Sequence, residues 1–430
     1  MIFDLLTGAE GTTIAPFTDS VISKIDRGIL RSLASKVLEL SERPIENEKK
    51  ELWYAHNDLI PTRPLVFCDP EGGWDEIIPA DSLKCNGDLA RRWEKYLRKE
   101  IFWGDSMKDD KVIEPYFNIP YFAAESDWGL SETTIGGQNK GSYIWQAPIK
   151  NYQEMEKLHT PLITVDFDKG RELLDQAEDT FKDLLKVRQK GIWWWSFGLT
   201  LTLGKLRGLE QMMLDMYDNP EGLHKLMAFL RDSTLCELDY LEQNGLLSLN
   251  CDNTPVGSGG FGWTRQLPQK DSDSGHVRTM DMWGFAESQE TSGISPSMFA
   301  EFVFPYQLPL LSRFGLNCYG CCEPLNNRWD IIKKIPNLRR VSVSPWADVR
   351  DMAEKLQDKY IYSLKPHPGL LAVSPIDEDF IRKSIGEVLK ITKANNCHVE
   401  IIMKDNHTLA NKPENAVRWS QIAMEEFFTI

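Results

Sequence analysis

Along the second half of the chain, short apolar runs rich in β-branched and aromatic residues alternate with segments whose apolar residues recur at helical spacing. The stretch "HVEIIMKD" (398–405) predicts a strand, followed through the loop "NHTLANKP" by a helix over "PENAVRWSQIAMEEFF". Reading backwards, "YIYSLKP" precedes a helix starting near Pro375, "RRVSVSPW" precedes "ADVRDMAEKLQ", and "LNCYGCC" precedes "LNNRWDIIKKI". "TMDMWGFAE" leads into the helical pattern "SPSMFAEFVFPYQLPLLSRF", where Ser295 suits an N-cap and Pro296 the first helical position. "GLLSLNCD" and "GIWWWSFGL" read as earlier strands, the latter followed by about two helices up to residue 244, and "IPYFAAESD" as a weak first strand. Right-handed βα units that close after eight strands give a (β/α)8 TIM barrel, an α/β fold predicted here over residues 111–430. The alternative is an open doubly wound sheet. Residues 1–110 read as a mostly helical amino-terminal extension that contains the apolar segment "TRPLVFCDPEGGW".

Composition narrows the function classes. The 430 residues are 42% hydrophobic, enough for a large core, and the formal charge is 49 − 64 = −15. The acidic residues are spread along the chain, which argues against a nucleic-acid groove or an anionic membrane surface. No secretion signal opens the sequence and no 18-residue apolar span follows, so the expected location is cytoplasmic. There the eight cysteines are expected as thiols, free for metal binding or reactivity.

Barrel enzymes work at the carboxyl ends of their strands, and titratable residues collect there. They are Asp252, Glu287 and Glu290, then Cys318, Cys321, Cys322 and Glu323, then Lys365 and His367, and finally Asp405 and His407. Two or three thiolate, imidazole or carboxylate ligands suffice for a zinc site that keeps one position open. Strand alternation places Cys318 and Cys322 on one side and Cys321 on the other, unless a bulge at Gly320 intervenes. Glu287 and His407 are the nearest candidates for the remaining ligands, and Asp405 and His407 share parity at the end of the last strand. The other reading makes the three cysteines small buried apolar residues. "DNTPVGSGGFGW" lacks GxGxxG spacing and reads as a mobile loop, "LPQKDSDSGHVRT" as a solvated one, and His56, His159 and His224 show no ligand spacing.

The segments "FAESQETSGISPSMFAEFVFPYQLPLL", "NCYGCCEPLNNRWDIIKKIPNLRRVSVSPWAD" and "IIMKDNHTLANKPENAVRWSQIAMEE" resemble the uroporphyrinogen decarboxylase superfamily. Within it they are similar to the corrinoid-linked methyltransferases of anaerobic bacteria. "LTLTLGKLRGLEQMMLDMYDNPEGLHKLM" extends the resemblance over about residues 160–428. The resemblance implies a (β/α)8 barrel. The arginine-rich segment with which the decarboxylases grip their tetrapyrrole is missing from residues 1–120. The family's zinc-binding His-x-Cys pair is also altered, because "CYGCC" stands in its place and the last strand ends in "KDNH". By this resemblance Cys321 or Cys322 matches the family cysteine, and Cys318 or His407 is a replacement ligand.

The activity so implied is demethylation of a small methylated substrate, a methyl ether or methylamine, with the methyl group passed to a separate corrinoid protein. No corrinoid-binding DxHxxG segment occurs in this chain. Attack of a corrinoid on the methyl carbon expels a poor leaving group, which calls for a metal on the oxygen or a proton donor. Glu287 and Glu323 are the expected acids, with Asp405 as orienting carboxylate. Asp252, Lys365 and His367 are expected to touch substrate, and Trp195 in "IWWWSF" to stack on a ring or to pack in the core. A metal-independent small-molecule-binding barrel and a decarboxylase-like lyase are the alternatives.

Overall fold

A computed structural model describes residues 2–4, 9–11, 21–136, 143–273 and 275–429. Eight strands run in parallel pairings: β1 (Leu65–Cys68), β2 (Tyr116–Ile119), β3 (Lys186–Gln189), β4 (Trp283–Ala286), β5 (Leu316–Tyr319), β6 (Leu338–Val343), β7 (Ile361–Leu364) and β8 (His398–Met403). Six of them form one sheet in the order β4-β5-β6-β7-β8-β1, and β2 and β3 form a separate pair. β4 to β8 fall inside the predicted segments. They are buried along their whole length apart from Arg339, as parallel strands covered on both faces require, and the polar Arg340 and Glu400 within them pair with each other. Helices follow them as the periodicity indicates: Pro296–Phe302, Val349–Leu356, Glu378–Ala394 and Glu414–Glu426. Ser295 caps the first of these, its side chain accepting from the Met298 amide at 3.2 Å with Pro296 at the first helical position.

The architecture is mixed α/β, and no closed barrel forms among the described residues, because strand pairing does not join β2 and β3 to the six-stranded sheet. The joins are made by other groups. Asn250 presents its side-chain amide to β4, accepting from the Trp283 amide at 2.8 Å and donating to the Trp283 carbonyl at 2.9 Å. The Phe197 amide donates to the Phe285 carbonyl of β4, and the Asp110 amide, ahead of β2, to the Val66 carbonyl of β1.

Four expectations are corrected. "GLLSLNCD" forms no strand, and "GIWWWSFGL" contributes only a one-residue bridge at Ile192. The chain around the tryptophans is irregular because Trp193 Nε1 is tied to the Leu246 carbonyl at 2.8 Å and Leu199 takes a left-handed conformation. The strand here is the preceding "KVRQ", whose charges hid it. "IPYFAAESD" holds the tail of β2 and then a short strand, Ala123–Glu125, antiparallel to Ile163–Val165. Residues 1–110 do not lie outside the sheet. Their apolar run "LVFC" is β1, fully buried and paired in parallel with β8. Helices Lys24–Ser41 and Asp88–Asp105 pack on each other beside it. No helix of the described residues is long and apolar enough to cross a membrane. The amino-terminal stretch in which no secretion signal is expected lies mostly outside the described residues.

Candidate functional site

β5 ends at Tyr319, and Gly320 follows at φ +94°, in the left-handed region, against Leu325 and Ser342. This turn overrides strand alternation. It brings the thiols of the adjacent Cys321 and Cys322 to 3.5 Å from each other. Cys322 Sγ also donates to Asp405 Oδ2 at 3.1 Å, and one ligand atom from each of the three residues lies within 4.8 Å of the others. Asp405 reaches this point from the end of β8, itself at φ +60°. Because β6 and β7 intervene, β5 and β8 would stand about 14 Å apart in a flat sheet. The contact therefore reflects strong curvature of the sheet together with inward-turned strand ends.

The spacing suits a metal. Two sulfur ligands at the usual zinc distance of ~2.3 Å in a tetrahedron stand about 3.8 Å apart, close to the thiol separation here. Two cysteines and one carboxylate leave a fourth position open. Cys318 does not join them. It is buried among Phe285, Val256 and Leu316, and burial pushes its thiol up to about 12. His407 is exposed and stands outside the group, in which Asp405 is the third member.

Glu287 follows β4 and is 1% exposed. Burial, then the neighbouring Glu290 and Glu323, raises its carboxyl well above the usual range. It accepts from the Gln289 amide at 2.9 Å and from Ser196 Oγ at 3.3 Å. Gly198 is needed beside it, since a Cβ there would come within 2.4 Å of Oε1. Glu287 faces a cavity of about 350 Å³ whose walls include Trp193, Trp194 and Trp195. Glu323 is equally buried but already engaged, accepting from the Ser288 amide at 2.8 Å and the Cys321 amide at 3.0 Å. Burial raises its carboxyl in spite of those donors. It clamps the loops after β4 and β5 to each other.

A larger cleft of about 670 Å³ opens where β1, β2, β3 and β8 end, lined by Asp69, Asn118, Lys190 and Lys404 among others. Asp252 stands behind it, binding Lys190 Nζ through both oxygens at 2.7 Å and Arg188 at 3.1 Å. Burial opposes its ionisation, and the two cations more than offset that, holding it below the usual carboxylate range. Asp252 thus positions cleft-lining cations. Trp195 packs on Phe285 at 5.2 Å between ring centroids and lines both cavities, as does Trp194. Glu71 in the same cleft escaped the sequence reading because its segment was assigned to the extension. Burial and Asp69 push it up to about 8. The acidic, glycine-containing "DPEGGW" directly after the apolar "LVFC" is the strand-end signal that marks it.

Lys365 and His367 separate. Lys365 is buried, lowered to about 8 by burial, and donates to Ser363 Oγ at 2.5 Å beneath the strand ends. His367 is exposed, its Nδ1 accepting from the Gly369 amide at 3.0 Å as a turn cap. His56, for which only a bland role was expected, is fully buried with Nε2 at 3.3 Å from Glu400. No protein-family model matches the chain, and no curated protein matches it.

Proposed function

We propose that this chain is a methyltransferase that demethylates a small methylated donor, a methyl ether or methylamine, and passes the methyl group to a separate corrinoid protein. The observation that carries this reading is the convergence of Cys321, Cys322 and Asp405 from two non-adjacent strand ends into one metal-sized group. The resemblance of residues 160–428 to corrinoid-linked members of the uroporphyrinogen decarboxylase superfamily agrees with it. The fold that goes with it is a (β/α)8 barrel in which β2 and β3 stand between β1 and β4 without strand pairing to either. Parallel pairing of the first and last strands of the set, and the reach of Asp405 to Cys322, support that arrangement.

Cys321, Cys322 and Asp405 would hold a zinc ion, which when bound supplies a Lewis acid for the departing oxygen or nitrogen. The chain's own residues do the rest. Glu287, buried and favouring its protonated form, holds a proton beside the tryptophan-lined cavity, available to the leaving group. Glu323 fixes the Cys321 backbone, and with it the thiol. Trp194 and Trp195 exclude water between the cavity on the Glu287 side and the larger cleft, which is the open face for a macromolecular partner.

The test is metal analysis of protein purified under reducing conditions, followed by methyl transfer from candidate donors to an added corrinoid protein. Near-stoichiometric zinc and corrinoid methylation are expected. Protein that binds no metal and methylates no corrinoid with any donor would overturn the reading in favour of a metal-independent binding protein.

A further inference from the structure

The cavity of about 350 Å³ beside Glu287 is aromatic and acidic at once. Its walls include the rings of Trp128, Trp193, Trp194, Trp195 and Phe197. Five carboxyl side chains, those of Glu125, Asp127, Glu132, Glu237 and Glu287, line it against a single cation, Lys205. Lys205 is already paired with Glu132 at 3.3 Å. Asp127 is occupied by the Gly129 amide and Ser131 Oγ. Glu237 Oε1 is buried and accepts no hydrogen bond among the described residues. A buried acceptor without a donor costs on the order of 1–3 kcal/mol, so such an atom facing a cavity marks a place for a ligand group.

We infer that this cavity binds a small organic ammonium ion, with its cationic head between the indole faces and Glu237. The faces of tryptophan carry negative potential and attract ammonium groups within about 6 Å, most strongly where water is excluded. An ammonium supplies the donor that Glu237 Oε1 lacks among the described residues. A neutral ligand of the same shape gains only the apolar walls, and an anion meets unfavourable carboxyls. Burial, then the neighbouring Glu125, pushes Glu237 up to about 8 in the ligand-free protein, and a cation at this place reverses that penalty. The walls are fixed in advance. Trp193 is tied through Nε1 to Leu246, and Trp195 rests on Phe285, so little ordering accompanies binding. At this volume the site suits a cation of choline size.

The assignment rests on the reading that gives this cavity to the methyl donor and narrows the donor to a cation, and its binding test needs no methyl transfer, so the two can fail separately. Its test uses the full chain, without corrinoid partner, titrated with choline and with 3,3-dimethyl-1-butanol, the uncharged carbon analogue of the same shape. Calorimetry and tryptophan fluorescence are the readouts. Choline is expected to bind at least about tenfold more tightly than the alcohol. Glu237→Gln is expected to abolish that preference while leaving the alcohol's affinity and the metal content unchanged. Equal binding of the two compounds, binding of neither, or an undiminished preference in E237Q would overturn the inference. The comparison in the unsubstituted protein decides by itself if E237Q fails to fold.

Discussion

Arg340 on β6 and Glu400 on β8 meet at 3.1 Å across the intervening β7, both with no solvent exposure. Arg340 Nε is not aligned for a hydrogen bond. The guanidinium is held instead by Asn57 Oδ1 and the carbonyls of Gly260 and Phe261, while Glu400 accepts from the Gly260 amide and Ser363. The pair thus ties the sheet's inner face to the loop 257–261 that covers it.

Glu400→Gln is expected to destabilise the protein by about 3–5 kcal/mol, read by urea unfolding, because a buried guanidinium then lacks its counter-charge. Burial opposes ionisation of Glu400, but Arg340 and then His56 more than compensate and hold its pKa below the usual value. Its contribution is therefore complete above the unfolded pKa of about 4.3 and is lost as pH falls through the folded value. Burial also lowers His56, which adds a loss of stability as pH drops below about 6.5. Acid unfolding should begin near the histidine range and steepen in the carboxylate range, with the second phase flattened in E400Q.

Cys321→Ser, Cys322→Ser and Asp405→Asn should each lose zinc measured by mass spectrometry of purified protein. Cys318→Ser and His407→Ala should keep it, because neither side chain belongs to the group. Strand alternation alone leads to the opposite pairing, Cys318 with Cys322. Zinc retained by C321S and C322S alike would remove the metal role.

Glu287→Gln should leave unfolding midpoints nearly unchanged, since the amide oxygen can still accept from the Gln289 amide while the Ser196 hydroxyl turns to accept from the new NH2, and should lower turnover by roughly 10²-fold. Glu323→Gln should act differently. An amide group at that position cannot accept on both sides, so the loops carrying Ser288 and Cys321 separate and stability falls by about 1–3 kcal/mol.

Lys365 is lowered to about 8 by burial, so the folded state binds its proton less tightly than the unfolded state does. The penalty is full below pH 8 and relieved as pH rises toward about 10.4. Lys365→Met should raise the neutral-pH unfolding midpoint, with an advantage that shrinks in alkaline titration.

Sequence patterns revealed the sheet where burial is two-sided. β5, β6, β7 and β8 announce themselves as short segments rich in apolar and β-branched residues despite Arg340 and Glu400, and Ser295–Pro296 marks its helix start. β3 was hidden because "KVRQ" carries its charges into a cleft, where Arg188 meets Asp252. The tryptophan run looked like a strand because aromatic residues favour strands, but tertiary bonds such as Trp193 to Leu246 decide its path. Cys321, Cys322, Glu287 and Asp405 were legible as strand-end residues. Their grouping was not, since it depends on the left-handed turns at Gly320 and Asp405. Glu237 lies on the helix Pro220–Gln243, where nothing in the pattern separates it from a solvated glutamate.

Pairing of β1 with β8 has a consequence for how the chain reaches its fold. Asn406, just past β8, donates to the Asp69 carbonyl beyond β1 at a separation of 337 residues. During synthesis β1 emerges long before its parallel neighbour β8. At roughly 5–20 residues per second this wait lasts tens of seconds. Throughout it "LVFC" presents an unpaired apolar edge, a template for other nascent chains. Chaperone demand should therefore be set by β1, and a ribosome stalled ahead of residue 398 should leave a nascent chain prone to aggregate.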